Sequence, residues 1–457
     1  MNDTIAAIAT PSGEGGIAVI RVSGEKAFQI VDTCFKAISK NFHSLTEVSS
    51  HTIHHGHIIQ DQDIVDEVLV SVFKSPRSYT GENSVEIGCH GGFVIARKVL
   101  EAILDAGARL AEPGEFTRRA FLNGHLDLTQ AEAVVDLIHA RTERAARAAS
   151  EQLAGGLSRV FDDIRDELLQ SLAHVEAYID FPDEDIAPNV SEGLRRHLTK
   201  AKETIFDTLE TFQEGYILRN GFCVAIVGRP NAGKSSLLNA LLKRERAIVS
   251  EIPGTTRDAI EAEADIGGVP ITFVDTAGVR ESENAIEMEG VRRSRQWIER
   301  ADVILWVVDG SEVFSEQDES FYREIRGETS LIVVVNKQDL PCLWDPENRL
   351  GREDVIPVSC LSGEGLSRLK QLLCQTALGC EASYKQGSAN INSRHRQGLM
   401  RAHSAVEEAL KLLSSSEPIE LLAGELHIAV NAIGELLGKT TTEDLLDSIF
   451  SQFCIGK

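Results

Sequence analysis

Phe222-Cys-Val-Ala-Ile-Val227 runs directly into Gly228-Arg-Pro-Asn-Ala-Gly-Lys-Ser235, and Lys234 to Leu242 has the composition of a helix. A buried strand, a glycine-rich turn and a helix in that order make a P-loop, in which successive backbone N–H groups and the helix N-terminus face a phosphate chain. Gly228 and Gly233 let the backbone wrap the phosphates, Lys234 lies against the β- and γ-phosphates, and the Ser235 hydroxyl is placed to ligate Mg²⁺. Three more motifs follow: Asp275-Thr-Ala-Gly278, Asn336-Lys-Gln-Asp339 and Ser359-Cys-Leu361. One of them could arise by chance, but the ordered set points to a guanine-nucleotide switch.

Each motif has a physical role. The two oxygens of Asp339 can accept the ring N–H and the exocyclic amine of guanine, a pair that adenine does not offer. Asn336 and Lys337 frame the ring, and Ser359-Cys360 presents backbone N–H to the guanine carbonyl. Asp275, ending an apolar strand, is the carboxylate behind Mg²⁺, and Gly278 supplies an N–H to the γ-phosphate. Thr255 and Thr256 fall in Pro253-Gly-Thr-Thr-Arg-Asp258, where a hydroxyl completes the Mg²⁺ shell only while the γ-phosphate is present. Many such switches carry a water-orienting glutamine directly after the Asp-x-x-Gly motif. Here that position is Val279, so either hydrolysis is very slow or another group acts, and Glu281, Glu283, Glu287 and Glu289 stand on the next stretch.

The chain has 457 residues, too many for one core and enough for two to four domains. Apolar content of 42% and charged content of 25% describe an ordinary soluble globular protein. No apolar run approaches a membrane span, and Met1-Asn-Asp-Thr lacks the features of a signal peptide. A net charge of −24 argues against non-specific binding of nucleic acid, so any such partner is held by a local basic patch or through a second protein. The eight cysteines are scattered without a C-x-x-C pair, which suits a reducing cytoplasm better than zinc or disulfides.

Residues 1–118 alternate short β-like runs (17–22, 66–73, 84–87) and one helix (96–104), an α+β domain. Thr129-Gln-Ala-Glu132 reads as a capping box. Leu157, Phe161, Ile164, Leu168, Leu172, Val175 and Ile179 then repeat at helical spacing, Phe181-Pro182 ends that helix, and a second helical stretch covers 195–215. Residues 217–380 alternate strands (222–227, 271–275, 303–309, 331–336, 355–359) with helices, the doubly wound α/β pattern. A polar linker at 381–392 precedes renewed helical periodicity to residue 450. The predicted fold is multidomain: an N-terminal α+β domain (1–118), an all-α helical domain split in sequence (119–216 and 381–457), and an inserted P-loop α/β domain (217–380).

Other clusters have bland readings beside sharper ones. Alternation along a strand splits His51, His54, His55 and His57 over two faces, which disfavours a metal site. Arg141, Arg144 and Arg147 share a helix face, more readily a solvated surface than a phosphate patch. Cys454 is either a thiolate near a reaction centre or an inert terminal thiol.

With these motifs, Ala9-Thr-Pro, Tyr79-Thr-Gly-Glu82, His90-Gly-Gly92, Glu112-Pro-Gly-Glu-Phe116, Ala120-Phe-Leu-Asn-Gly124, Phe181-Pro-Asp-Glu184 and the final Cys454-Ile-Gly-Lys457, the whole chain resembles the tRNA-modification GTPase family MnmE, also called TrmE. The resemblance implies a Ras-like G domain and GTP contacts at Asn231, Ala232, Gly233, Lys234, Ser235 and Ser236, at Ser250, Glu251, Ile252, Pro253, Gly254, Thr255 and Thr256, at Asp275, Thr276, Ala277 and Gly278, at Asn336, Lys337 and Asp339, and at Ser359, Cys360 and Leu361. It implies Mg²⁺ on Ser235 and Thr256, and K⁺ on Asn231 with loop oxygens at Ser250, Ile252 and Thr255. The catalytic glutamate maps to Glu287, and Cys454 to a second catalytic position. An N-terminal dimerisation domain related to folate-binding domains is implied, with a folate such as 5-formyltetrahydrofolate on Arg21, Glu86, His125 and Lys457; His125 departs from the usual lysine. The implied partners are a second copy (homodimer), tRNA, and an MnmG-like flavoenzyme carrying FAD and NADH in a heterotetramer. Together they place an aminomethyl-type group, such as carboxymethylaminomethyl, on C5 of the wobble uridine. The alternative is a GTP-dependent binding switch in ribosome assembly, a class that usually carries a basic RNA-binding module; none is evident here.

Overall fold

A computed structural model describes residues 3–11, 13–180, 189–242, 260–275, 300–327, 330–350, 354–379, 391–415 and 417–457. The chain divides into two compact units, Met1–Val135 with Gln152–Lys202 and Arg401–Lys457, and Asp136–Glu151 with Glu203–Met400.

The first unit is built on a seven-stranded sheet of β1 (Ile5–Ile8), β2 (Ile17–Ser23), β3 (Phe35–Ala37), β4 (Thr52–Gln60), β5 (Asp63–Phe73), β6 (Ser84–His90) and β7 (Arg109–Leu110), in the order β3-β4-β5-β6-β2-β1-β7. Alternation sends Ile20, Val22, Val68, Val70, Val72, Val85 and Ile87 to one face, where Phe28, Val31, Val99 and Ile103 of helices Ala27–Cys34 and Phe93–Asp105 close the core. The other face carries Arg21 and Glu86, directly opposite in the β2–β6 register. The expected strands and helix are present and longer than the sequence suggested. The histidine-rich strand expected around residues 51–57 is β4, which begins at Thr52, just after His51, and is held by pairing along nearly all of β5. Its histidines divide as alternation requires: His54 packs on Phe42, with ring centroids 5.2 Å apart, and His55 bonds Glu67 at 2.6 Å. Among the described residues no cluster could hold a metal ion.

A buried charge network fixes the N-terminal strand. The Arg119 side chain is 2% exposed and donates to Asp3 (2.8 Å), Glu115 (2.9 Å) and Glu82 (3.2 Å), while Arg109 donates to Asp3 and Glu115. Burial raises the carboxyl pKa of Asp3 and Glu115, but the arginine bonds outweigh it and hold both below their ordinary values.

The capping box lies two residues before the expected one. Asp127 accepts from the Gln130 backbone N–H at 2.9 Å, and the Gln130 side chain accepts from Asp127 N–H at 3.0 Å, starting the helix Leu128–His139. Thr129 instead donates to Asp127 and meets Ser158, so it is no cap. Asp followed by Gln three residues on satisfies the capping rule as well as Thr with Glu does. The periodic run beginning at Leu157 forms the helix Gly156–Asp180, which packs along Ile419–Leu437. These two helices bring segments from before and after Glu203–Met400 into one unit, burying Phe161, Leu168 and Leu172 on one helix and Leu426, Ile433 and Leu437 on the other.

The second unit has a six-stranded sheet of β8 (Phe222–Val227), β9 (Ile260–Ile266), β10 (Val269–Asp275), β11 (Val303–Asp309), β12 (Ser330–Asn336) and β13 (Asp354–Pro357), ordered β13-β12-β11-β8-β10-β9. Only β9 is antiparallel. It escaped the sequence reading, because Glu261, Glu263 and Asp265 interrupt its apolar residues. Residues 136–151 belong to this unit. Thr142 donates to the Gly268 carbonyl at 2.8 Å, and Arg141 and Arg144 pair with Glu263 and Glu214 at 2.5 and 2.7 Å. Two of the three arginines considered as a phosphate patch are thus engaged by carboxylates of the same unit.

The Arg119 network generates a prediction. Carboxyls with depressed folded pKa contribute stability that is present above their unfolded value near ~4 and is lost as pH falls through the folded value. Arg119→Ala should therefore cost about 3 kcal/mol at neutral pH and move the acid-unfolding midpoint upward. Circular dichroism against pH checks this; an unmoved midpoint would show that the carboxylates do not depend on Arg119.

Candidate nucleotide site

The sheet order of the second unit places β8 centrally, with β11 on one side and β10 on the other. In an open parallel sheet the crevice at such a switch point, beyond the carboxyl ends of the strands, is where ligands bind. Gly228 follows β8, Asp275 closes β10, Asp309 closes β11, Asn336 closes β12, and Ser359 lies two residues past β13. Strand pairing thus brings four separate motifs to one edge.

The loop after β8 is built around Lys234 and Asn336. Lys234, the first residue of helix Lys234–Leu242, is buried and donates to the carbonyls of Gly228 and Arg229, both at 2.7 Å, so its ammonium is held inside the loop. Asn336 is 2% exposed; its amide donates to Ala232 O at 2.9 Å and its oxygen accepts from Cys360 N–H at 3.4 Å. One side chain therefore ties the phosphate loop to the loop after β13. At Gly233 the backbone has φ +96°, and an added Cβ would lie 2.1 Å from the Asn336 amide nitrogen. Only glycine fits the cradle. Asn231, Ser235 and Ser236 lie exposed on its rim, Asn231 with φ 64°.

On the base side, Ser359 donates to Asp339 at 2.6 Å and accepts from Ser362 N–H at 3.1 Å, fixing one carboxylate oxygen at an exposed position. Lys337 stretches to Asp309, Nζ to Oδ2 2.5 Å. Burial works against ionised Asp309, yet Lys337 and Ser311 hold its carboxyl below the usual range, and the same contact raises the Lys337 pKa. Burial, with help from the Asp339 charge, pushes the Cys360 thiol up to about 11, so this position offers its backbone N–H rather than a thiolate. Leu361 is 86% exposed. Asp309 was missed by sequence reasoning, although an aspartate closing an apolar strand, as at Asp275, was the signal available.

Ser250, Glu251, Ile252, Pro253, Gly254, Thr255, Thr256, Thr276, Ala277, Gly278 and Glu287 lie outside the described residues, as does the side chain of Asp275. The described part fits a nucleoside phosphate: a cradle that a single Cβ would fill, a buried lysine, and a carboxylate with a free acceptor edge. Of the residues expected to hold ions, Ser235 and Asn231 stand at this cradle.

The first unit gathers a second cluster. Arg21 donates twice to Glu86, at 3.0 and 2.8 Å, and its guanidinium lies 5.0 Å from the Tyr79 ring centroid and 5.6 Å from that of Phe116. His125 abuts Gly81, two residues beyond Tyr79. The tail is anchored by buried Phe453 and by Gly456, where a Cβ would lie 2.3 Å from the Ile8 carbonyl. Ile8 adjoins Ala7, which faces Arg21 across β1 and β2, so Lys457 follows a residue seated at this corner of the sheet. Cys454 is exposed, and its carbonyl accepts from Gly114 N–H at 3.5 Å.

Comparison with known proteins gives the following. Residues 128–454 match the family model described as MnmE helical domain, and residues 4–125 that described as GTP-binding protein TrmE N-terminus. The chain is 46% identical over 462 residues to the tRNA modification GTPase MnmE of Geobacillus kaustophilus (strain HTA426), covering 100% of this chain and 99% of that one. It is 45% identical over 468 residues to the protein of the same name from Heliobacterium modesticaldum (strain ATCC 51547 / Ice1), covering 100% of both. Among solved structures, the G domain of the T. maritima FeoB iron transporter aligns at 27% identity over 34% of this chain and 98% of that one, with a TM-score of 0.28.

The cradle geometry predicts that Gly233→Ala weakens GDP binding by on the order of 100-fold, since the methyl must displace Asn336 and the backbone must leave its left-handed conformation. Titration with a fluorescent GDP analogue checks this. Binding within threefold of the unsubstituted chain would contradict the close approach.

Proposed function

This chain belongs to the MnmE family of tRNA modification GTPases, and from that premise we propose how its own residues serve GTP hydrolysis in tRNA modification. The observation that carries the reading is the Asn336 bridge, which locks the phosphate loop and the base loop into one pocket. Asp339, held by Ser359 through one oxygen, reads the two guanine donors, and the Lys337 stem completes the base site. Lys234 exchanges its loop carbonyls for the β- and γ-phosphates when GTP enters. Ser235, with Thr256, holds Mg²⁺.

We assign the inserted nucleotide domain to 217–380, the N-terminal domain to 1–118 and the split helical domain to 119–216 and 381–457. Val279 cannot orient water, so Glu287 takes that task. Asn231 with Ser250, Ile252 and Thr255 binds K⁺ where two nucleotide domains of a homodimer meet. There the cation would supply positive charge against the charge developing on the phosphates. The Arg21–Glu86 corner with His125 and Lys457 takes a folate through its polar edges, with the Arg21 guanidinium held against the Tyr79 and Phe116 rings. Cys454, exposed beside that corner, faces the modification chemistry.

A flavoenzyme of the MnmG type, carrying FAD and NADH, completes a heterotetramer that places a carboxymethylaminomethyl-type group on C5 of the tRNA wobble uridine. The net charge of −24 favours delivery of tRNA with a partner protein over a broad basic surface on this chain. No helix among the described residues is long and apolar enough to cross a membrane. We place the protein in the cytoplasm, where tRNA is modified.

Two measurements test this. GTP turnover should rise at least about tenfold when K⁺ replaces Na⁺, and Glu287→Ala should abolish turnover in either salt while GDP binding persists. Equal rates in the two salts would remove the K⁺ assignment. Nucleoside analysis of tRNA from a strain lacking the protein should show wobble uridines without the C5 substituent. Unchanged uridines would overturn the role in modification.

A further inference from the structure

We infer that Asp309 is a positioning residue of the guanine pocket: it holds the Lys337 side chain stretched along the pocket wall, and so sets how tightly the base is retained. The inference rests on the reading of residues 336–339 as the base loop. Asp309 ends β11 directly opposite Asn336 in the β11–β12 register and is 8% exposed. One of its oxygens accepts from Ser311 N–H at 2.9 Å and from Ser311 Oγ at 2.6 Å; the other meets Lys337 Nζ at 2.5 Å. The carboxylate is therefore fixed by a short turn of its own, independently of the lysine.

Lys337 is constrained at both ends. Its backbone is left-handed, φ 63°, an uncommon conformation for a long side chain. That backbone is held because Asn336 before it and Asp339 after it are each bound to other loops. At the tip, the ammonium is held by Asp309. A lysine side chain gives up much of its rotamer freedom when it is fixed. Here that ordering happens on folding, so the methylene stem is already extended when a base arrives and little ordering cost remains for the binding step. Without Asp309 the cost falls on binding instead. The loss should be the same for GDP and GTP, because Lys337 serves the base end of the pocket while Lys234 serves the phosphates.

The experiment measures GDP and GTP dissociation constants and steady-state turnover for the full chain, Asp309→Asn, Lys337→Met, the double variant and Ser311→Ala. Asparagine keeps the acceptor for Ser311 and loses the charge. We expect Asp309→Asn to weaken both nucleotides by about tenfold, to raise KM by the same factor and to leave kcat unchanged. In the Lys337→Met background the same substitution should add less than about twofold, and Ser311→Ala alone should stay within about twofold. Unchanged affinity in Asp309→Asn overturns the inference. So does a full loss that persists in the Lys337→Met background, or one that Ser311→Ala reproduces, since either assigns the effect to the turn and not to the lysine. Unsubstituted protein that binds ADP as tightly as GDP would overturn the underlying reading of the pocket, a result distinguishable from any pattern among the variants.

Discussion

The nucleotide-binding unit depends on one buried carboxamide. Asn336 engages backbone at both ends of its amide: an Nδ2–H donates to Ala232 O of the phosphate loop, and Oδ1 accepts from Cys360 N–H of the base loop. A buried amide that lost either partner would carry an unsatisfied polar group costing ~1–3 kcal/mol, so the two loops are held to one another by the penalty of separation. The constraint also reaches into the sequence. Gly233 must lack a side chain because the Asn336 amide occupies the space, and Lys337 must accept a left-handed backbone because its neighbour is pinned.

Charge is handled alike in both units, each within its own boundaries. In the first, buried Arg119 is surrounded by carboxylates from the start of the chain, the loop before β6 and its own helix. In the second, Asp309 is surrounded by a lysine and a serine. Each arrangement orders segments distant in sequence, and each would leave an isolated buried charge if one member were removed. The motifs Tyr79–Glu82 and Asn336–Asp339 lie next to these networks, and exposed Asp339 takes a fixed direction from its bond to Ser359.

Much of this was legible in sequence because it depends on local pattern. Val303–Asp309 and Leu331–Asn336 are short, β-branched apolar runs ending in polar residues, the pattern of buried parallel strands. The helix beginning near Leu157 announced itself by periodicity. What was not legible depends on pairing. The full extent of the strand Thr52–Gln60, expected only around its histidines, is set by the ladder its neighbour offers. The strand Ile260–Ile266 hides its alternation among acidic residues. The docking of Thr142 and Arg141 on the β9–β10 hairpin crosses more than a hundred residues of sequence and has no local signal. Asp309 was missed for a related reason, since its partner Lys337 becomes a neighbour only through the β11–β12 register.

The central claim is that the ends of the parallel strands assemble a single pocket in which Asp339 reads the base. It is tested most directly by titrating the full chain and its Asp339→Asn variant with GDP, XDP and ADP. An amide at this position exchanges an acceptor for a donor. The account predicts that the unsubstituted chain prefers GDP to both others, and that Asp339→Asn loses GDP and gains XDP. Retention of tight GDP binding by Asp339→Asn would contradict it.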